Sequence, residues 1–296
     1  MPAVPVSAAE FEGLMAALGP FGPRPRIAAG VSGGPHSLAL ALLARDWVAA
    51  RGGAFLALVA DHGLRAGSGA EARAVVGLLR GAGMHAYLLP LGLPPGPRLH
   101  ERARQARHAA LLRAAGEAGA PWLLLGHHRG DQAETVAIRA SRDSGPDGLA
   151  GMAAARPATA ALVLRPLLPL PQARLEATVA AAGLVPIRDP SNGDPRFDRA
   201  RWRAELADPD GTGAVTAALA RTAGAFARLR EVRAESFATR IARSAQVRPG
   251  GWLRLDRQAL GQDSAAVAAL AALVRVVGGS VHPPSPRARH GAPCPG

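Results

Sequence analysis

A run of small and polar residues, Ser32-Gly33-Gly34-Pro35-His36-Ser37, lies between two apolar stretches and has the composition of an anion-binding loop. Glycine lets the backbone approach a ligand closely, and the start of a helix presents N–H groups with partial positive charge. Ile27–Val31 predicts a strand before the loop, and Ser37–Ala50 predicts a helix whose first turn is capped by Ser37. We therefore expect the loop to hold phosphate, although an ordinary strand–turn–helix joint has the same pattern.

Two carboxylates at helical spacing, Asp131 and Glu134, follow the adjacent pair His127-His128. Positions three apart share one face of a helix, and Mg²⁺ is commonly held by one or two carboxylates together with substrate phosphates. This spacing predicts a Mg²⁺ site with Asp131 as a ligand, although taken alone it is more typical of helix capping by Asp131. The two histidines would point apart, and no third ligand has matching spacing, which favours substrate contact by one of them over a transition-metal site.

Two short segments carry arginines about one helical turn apart, Arg104 with Arg107 and Arg199 with Arg203. Such stripes are usually solvent-exposed faces, and the alternative is contact with RNA phosphates. The formal net charge of +13 favours a polyanionic partner, nucleic acid first. The chain contains no lysine, so part of this charge could reflect coding bias. Arginine still suits phosphate, because its planar fork binds two oxygens at once.

The elements that would position these residues alternate between strand and helix. Apolar runs separated by helical segments predict an α/β fold, with a parallel twisted sheet covered by helices on both faces. The predicted strands are Ile27–Val31, Phe55–Ala60, His85–Leu89, Trp122–Leu125 and Leu162–Leu164, and the predicted helices between them are Ser37–Ala50, Glu71–Gly81, Leu99–Ala118 and Asp131–Ser141. Ligands of such sheets bind at the carboxyl ends of the strands, where the phosphate loop, Asp61 and His127-His128 all fall.

Composition divides the chain into four predicted regions. Residues 1–24 form a helix and turn, residues 25–190 a nucleotide-binding domain, residues 191–280 an Arg-rich, mainly helical extension, and residues 281–296 a disordered tail. The single cysteine, Cys294, excludes a disulfide framework within one chain. The N-terminus lacks a basic segment ahead of an apolar core, and no apolar segment has the length of a membrane span, so we expect a cytoplasmic protein without a membrane partner.

Several motifs, taken in chain order, resemble those of the tRNA(Ile)-lysidine synthetases, a family of N-type ATP pyrophosphatases with a PP-loop. They are Ser32-Gly33-Gly34-x-x-Ser37, Asp61-His62-Gly63-Leu64-Arg65, Ala103-Arg104-x-x-Arg107, Gly126-His127-His128-x-x-Asp131-Gln132-x-Glu134-Thr135, Gly148-Leu149-x-Gly151-Met152, Arg165-Pro166-Leu167-Leu168, and Asp189-Pro190-Ser191-Asn192 with Arg199 and Arg203. The first motif alone fits many ATP pyrophosphatases. The motif that begins at Gly126 is much more specific.

The resemblance implies an ATP- and Mg²⁺-dependent ligase that joins L-lysine to the wobble cytidine of tRNA(Ile) with a CAU anticodon. The cytidine would first be adenylated with release of pyrophosphate, and the lysine amine would then displace AMP. By resemblance, the loop holds pyrophosphate, Asp131 and Glu134 serve Mg²⁺ or the amine, and His127 and Arg165 lie near the substrates. The two arginine pairs would contact the RNA. A homodimer is possible.

Departures from the family pattern keep other interpretations open. His36 stands where the family loop has Asp, and Asp143 lies where the family has glycine and apolar residues. We expect the negative charge of Asp143 beside a phosphate site to repel ATP. Imidazole is a poor Mg²⁺ ligand, so we expect weakened adenylation, or an RNA-binding homologue without catalysis. Protonated His36 could instead contact phosphate directly.

Two further expectations concern the rest of the chain. The sequence carries one helical extension, where longer family members have further tRNA-binding domains, so we expect those domains to be absent or abbreviated. A tRNA-thiolating ATP pyrophosphatase is a second enzyme class with this fold. It is disfavoured, because such enzymes rely on catalytic or cluster-binding cysteines and Cys294 lies in the tail.

Overall fold

The structure is a computed structural model that describes residues 3–63, 67–187, 198–248 and 252–279. The chain divides into two compact units, Met1–Gly224 and Ala225–Gly296. Several predictions fall outside the described residues, namely those on Leu64-Arg65, Asp189-Pro190-Ser191-Asn192 and the tail 281–296. The predicted region boundaries stay predictions.

A six-stranded sheet organises the first unit. Its strands are β1 (Arg26–Gly30), β2 (Ala54–Asp61), β3 (His85–Pro90), β4 (Trp122–Leu125), β5 (Ala155–Pro157) and β6 (Leu162–Leu164). The strand order is β3-β2-β1-β4-β6-β5, and β5 is antiparallel to β6 while the other pairs are parallel. The first unit contains α1 (Ala8–Ala16), α2 (Pro35–Ala49), α3 (Ser68–Gly81), α4 (Leu99–Glu117), α5 (Arg129–Ala140), α6 (Pro146–Leu149), α7 (Gln172–Ala181), α8 (Asp198–Leu206) and the beginning of α9 (Ala214–Ser244).

Both faces of the sheet are covered, so its strands are apolar almost throughout. Successive side chains of β1 alternate between two cores. Ile27 and Ala29 join a core that includes Leu175 and is built from α1, α2, α3 and α7. Ala28 joins the opposite core, where Leu111 of α4 packs. The predicted α/β fold, with helices on both faces of a largely parallel sheet, is confirmed.

The N-terminal segment is fastened to α7. The Val6 N–H donates to Thr178 Oγ1 at 2.9 Å. Arg174 donates to both carboxylate oxygens of Glu10, at 2.6 and 2.7 Å. Phe11 and Met15 are buried on the same side of the sheet. The predicted helix at the start of the chain is therefore part of the first unit's core.

The second unit contains the end of α9 followed by β7 (Ala245–Arg248), β8 (Trp252–Leu255), α10 (Arg257–Leu260) and α11 (Ser264–Val277). β7 and β8 form an antiparallel pair. Leu260, Ala266 and Ala269 form a small core against Phe237 and Ile241 of α9. The extension is mainly helical, as the sequence predicts. Across the described residues, no helix combines the length and the apolar character that a bilayer span requires.

Candidate functional site

The phosphate loop joins β1 to α2 and depends on glycine at one position. Gly33 has φ +85°, and a Cβ there would lie 2.4 Å from Val75 Cγ2 on α3. Any other residue would therefore be strained and would also clash. The Gly33 carbonyl accepts a hydrogen bond from the Ile187 N–H at 2.9 Å, which fixes the loop from the opposite side.

The start of α2 carries no side-chain cap, and the prediction that Ser37 caps it is wrong. Gly34 is the N-cap residue, and Pro35 begins the helix because its ring presets φ and it lacks an N–H that would need a partner. Ser37 Oγ instead donates to the Gly34 carbonyl at 3.0 Å and accepts from the Ser32 N–H at 3.1 Å. An uncapped helix start beside a rigid loop suits an anionic ligand.

His36 points from the first turn of α2 towards the histidine pair. Its ring packs edge-on against His128, with centroids 4.1 Å apart and planes at 74°. Its Nε2 lies 3.9 Å from Glu176 Oε1 of α7. A Cβ on Gly126 would lie 3.1 Å from the His36 carbonyl oxygen, which shows how closely the end of β4 approaches the loop. The structure therefore brings the loop and the histidine pair together at one sheet edge.

Asp131 takes part in a reciprocal cap at the start of α5. His128 is the N-cap residue, its N–H donates to Asp131 Oδ2 at 3.1 Å, and its Nδ1 accepts from the Asp131 N–H at 3.4 Å. The capping interpretation is therefore correct in part, with Asp131 as the partner of the cap. Burial alone would raise the pKa of Asp131, but His128, His127 and the His128 N–H hold it below its usual value. The carboxylate is thus ionised at neutral pH.

Glu134 lies one turn further along α5 and is only 2% exposed. Its Oε1 accepts from Arg203 Nε of α8 at 2.8 Å. Its Oε2 is buried and has no hydrogen-bond partner among the residues that the structure describes. Burial raises the pKa of Glu134, against the opposing effect of the Arg203 hydrogen bond. A buried oxygen without a partner is costly and marks a position for a ligand that donates protons or carries positive charge.

His127 and Arg165 are joined directly. Arg165 Nε donates to His127 Nδ1 at 3.2 Å, and another guanidinium nitrogen donates to the Ala153 carbonyl at 2.7 Å. Burial, with smaller contributions from nearby arginines and an opposing one from Asp131, lowers the pKa of His127 to about 4. The ring is therefore neutral near pH 7, and with Nδ1 accepting, its proton lies on Nε2. Burial and the charges of Arg156 and Arg104 lower the pKa of Arg165 to about 10.

Three of the four arginines predicted to bind RNA lie together with no carboxylate partner in the ranges that the structure describes, and the fourth is paired with one. Partial desolvation and the charge of Arg199 lower the pKa of Arg104. Partial desolvation and the charges of Arg104 and Arg199 lower that of Arg107. Arg203 is bound to Glu134 instead. The structure adds Arg156, whose guanidinium contacts His108 of α4 and which no sequence pattern indicated, because β5 is only three residues long.

The Gly-Leu-x-Gly-Met motif braces α5. Gln132 exchanges hydrogen bonds with the backbone of Met152, at 3.1 and 2.8 Å. Arg139 donates to the carbonyls of Gly148 and Gly151 at 2.9 and 2.8 Å. This motif therefore fixes the helix that carries the two carboxylates.

Two further positions that the sequence singled out are Asp61 and Asp143. Asp61 Oδ1 accepts hydrogen bonds from the Gly63 N–H and from Ser68 Oγ, so this carboxylate orders the start of α3. Asp143 is exposed in the turn after α5 and has φ +49°. Its expected repulsion of ATP stays a prediction.

Residues 7–209 match the family model of PP-loop domains. The tRNA(Ile)-lysidine synthase of Bradyrhizobium sp. strain BTAi1 is 43% identical over 268 residues, which cover 86% of this chain and 74% of that protein. The tRNA(Ile)-lysidine synthase of Novosphingobium aromaticivorans is 45% identical over 204 residues, or 68% of this chain and 61% of that protein. This chain belongs to the tRNA(Ile)-lysidine synthase family. The family predicted from the motifs is confirmed.

A solved structure shares the fold at low sequence identity. The U34-tRNA thiolase NcsA of Methanococcus maripaludis, which carries a [4Fe-4S] cluster, matches with a TM-score of 0.60 and 17% identity over 75% of this chain and 77% of that one. At this identity the likeness concerns the fold alone. Within the described part of this chain, no three histidine, cysteine or acidic side chains gather as a metal-binding group.

Proposed function

We propose that this protein joins lysine to the wobble cytidine of tRNA(Ile) with a CAU anticodon, through an adenylated cytidine. The names of its relatives and its PP-loop domain support this function over the alternatives. One structural observation carries the proposal. The uncapped start of α2 and the unpartnered oxygen of Glu134 belong to neighbouring elements at the carboxyl end of β1 and β4, so an anion site and a cation site are combined.

The loop from Ser32 to Ser37 would bind the pyrophosphate that leaves in the first step. Asp131 fits Mg²⁺, because it is a hard oxygen donor that stays ionised, and one or two carboxylates suffice when phosphates complete the coordination. When bound, Mg²⁺ would neutralise charge on the phosphates. His127 would donate a hydrogen bond from Nε2 to a substrate oxygen while Arg165 holds its ring.

Glu134 would serve the second step. Its unpartnered Oε2 would bind the lysine ammonium and receive a proton from it before the amine attacks the adenylated carbon. A carboxyl group with a raised pKa is a better base than an ordinary glutamate. The amine would form a C–N bond as the C–O bond to AMP breaks. ATP and tRNA would thus react first, and lysine second.

The test is incorporation of labelled lysine into a tRNA(Ile) transcript with a CAU anticodon, with ATP present or omitted. We expect ATP-dependent incorporation by the native chain. RNA binding without either incorporation or RNA-dependent ATP–pyrophosphate exchange would contradict the proposal and favour a non-catalytic RNA-binding homologue. Gel filtration coupled to light scattering would test the expected homodimer.

His36→Asp, measured in the same assay, tests the departure in the loop. We expect it to raise the rate of pyrophosphate exchange, because a carboxylate supplies the oxygen donor that the imidazole lacks. His36→Ala is the control, since it removes the ring contact with His128 without adding a carboxylate. Equal rates for native protein and His36→Asp would show that the histidine does not impair pyrophosphate exchange.

A further inference from the structure

Five arginines of the first unit gather near one another, and the nearest acids, Asp131 and Glu134, act on Arg199 without pairing with it. Arg104 and Arg107 belong to α4, Arg156 to β5, Arg165 follows β6, and Arg199 belongs to α8. Within the described ranges, none of these five forms an ion pair with a carboxylate. Like charges that lie close together without directly paired carboxylates repel one another, and a bound anion would relieve that repulsion. We call this set the unpaired arginine cluster.

The cluster extends outward from the candidate catalytic edge. Arg165 lies at its inner end, where it contacts His127. Arg156 lies on the edge strand β5, opposite Val163 of β6, and its exposed side chain reaches His108 of α4. The charge therefore continues past the positions that the PP-loop needs for pyrophosphate.

A groove begins at the outer end of the cluster. It has a volume of about 560 Å³ and lies between α4 and the turn that joins β5 to β6. Ala109, Leu112 and Ala160 give it apolar walls, while Gln105 and Thr159 supply polar groups. Apolar walls with a few polar groups fit the face and the edge of an unstacked base. His108 lines the groove as well, so the arginine contact and the groove are continuous.

We propose that Arg156 and this groove bind the single-stranded RNA next to the target cytidine, with Arg156 on a backbone phosphate and the groove around the adjoining base. The proposal rests on the proposed function, because the RNA is the substrate of that reaction. His108 is a positioning residue. A neutral imidazole accepts a hydrogen bond, so His108 Nε2 receives one from Arg156 and aims its guanidinium.

Arg156→Met in the full chain tests the phosphate contact. Affinity for the tRNA transcript is measured at several salt concentrations, together with KM for ATP. We expect weaker RNA binding, a slope of log K against log[salt] reduced by about 0.7 to 1, and an unchanged KM for ATP. Arg26→Met is the matched control, since Arg26 is an exposed arginine at the opposite end of β1.

His108→Leu and His108→Gln test the positioning role. Leucine should reproduce the change in salt slope and add nothing to Arg156→Met, whereas glutamine, which keeps an acceptor, should restore much of the native slope. A photo-crosslinking amino acid in place of Thr159 should label a nucleotide beside the target cytidine.

The outcomes separate this inference from the proposed function. If Arg156→Met and Arg26→Met bind RNA alike while lysine incorporation continues, the inference is wrong and the function stands. If Arg156→Met raises KM for ATP and leaves RNA binding unchanged, the cluster serves the nucleotide and the inference is again wrong. RNA binding and its salt slope are measurable even in a chain that incorporates no lysine.

Discussion

Both α4 and α8 carry several arginines, but Arg201 and Arg203 of α8 have surroundings opposite to those of Arg104 and Arg107 of α4. Arg104 and Arg107 have no carboxylate partner among the described residues, whereas Arg203 binds Glu134 and Arg201 binds Asp198. The helices are also held differently. α4 buries Ala103, Ala110, Leu111 and Ala115, while α8 buries no side chain.

α4 is therefore fixed by the burial of its side chains, whereas α8 is held in place by ion pairs. α8 contacts α5 through Arg203–Glu134, and Arg142 after α5 forms a second ion pair with Asp198. The two ion pairs of Asp198 are largely exposed, so they contribute little, are screened by salt and can be displaced by a polyanion, whereas Arg203 binds a buried carboxylate. A movement of Arg203 away from Glu134 and towards RNA would free the second carboxylate oxygen.

The greatest loss of activity should follow from removing the carboxylate of the Glu134–Arg203 pair. Glu134→Gln should lower the rate of lysine transfer by about 10² to 10⁴-fold, because the amine loses its proton acceptor, while RNA-dependent pyrophosphate exchange continues. Single-turnover assays would separate the two steps. Glu205→Gln on the exposed face of α8 is the control. Unchanged lysine transfer by Glu134→Gln would place the amine elsewhere.

Removing the arginine from the same pair should have a smaller effect that depends on pH. The Arg203 hydrogen bond lowers the pKa of Glu134, so Arg203→Met should raise that pKa further and shift the acid limb of the pH–rate profile upward. Activity would fall on the acid side of the profile and recover at higher pH. Arg201→Met should leave the profile in place, since Arg201 binds Asp198. Identical shifts in the two variants would contradict this assignment.

The burial of His127 beside several arginines should also be detectable in the stability of the fold. Burial and nearby arginines lower the pKa of His127 to about 4, below its unfolded value of about 6.5. Between these values the unfolded chain binds more protons, so stability should fall as pH drops from 6.5 to 4. His127→Gln should flatten this part of the profile in thermal melts. A native profile without such a decline would show that His127 is not buried in its neutral form.

The smallest expected effect concerns how α8 is held. Asp198→Asn should cost about 0 to 1 kcal/mol of stability, because its ion pairs are partly exposed. Hydrogen exchange is the sharper measurement. Raising the salt concentration should speed exchange in α8 and leave α4 unchanged, whereas equal responses would remove the distinction between the two helices.

The fold was predictable because each parallel strand can be recognised from its own short stretch of sequence. Each parallel strand is an apolar run, and β4 and β6 have the predicted bounds. β5 was missed because three residues show no periodicity and its Arg156-Pro157 pair does not suggest a strand. Ser37 was misjudged as a cap because Pro35 starts the helix earlier.

The site was predictable only in outline. Because ligands bind at the carboxyl ends of parallel strands, the loop and the histidine pair could be predicted to lie at the same sheet edge. Which charges meet could not be read from spacing, since Arg203 and Glu134 are separated by 69 residues. The contact of Arg156 with His108 depends on an edge strand that pattern does not reveal.

The attachment of the N-terminal segment to α7 has a consequence for synthesis on the ribosome. Val6 and Thr178 are separated by 172 residues. At translation rates of 5 to 20 residues per second, the segment waits roughly 10 to 35 s for its partner. Glu10 waits similarly for Arg174. A nascent chain that does not yet include α7 would therefore leave this segment unfastened.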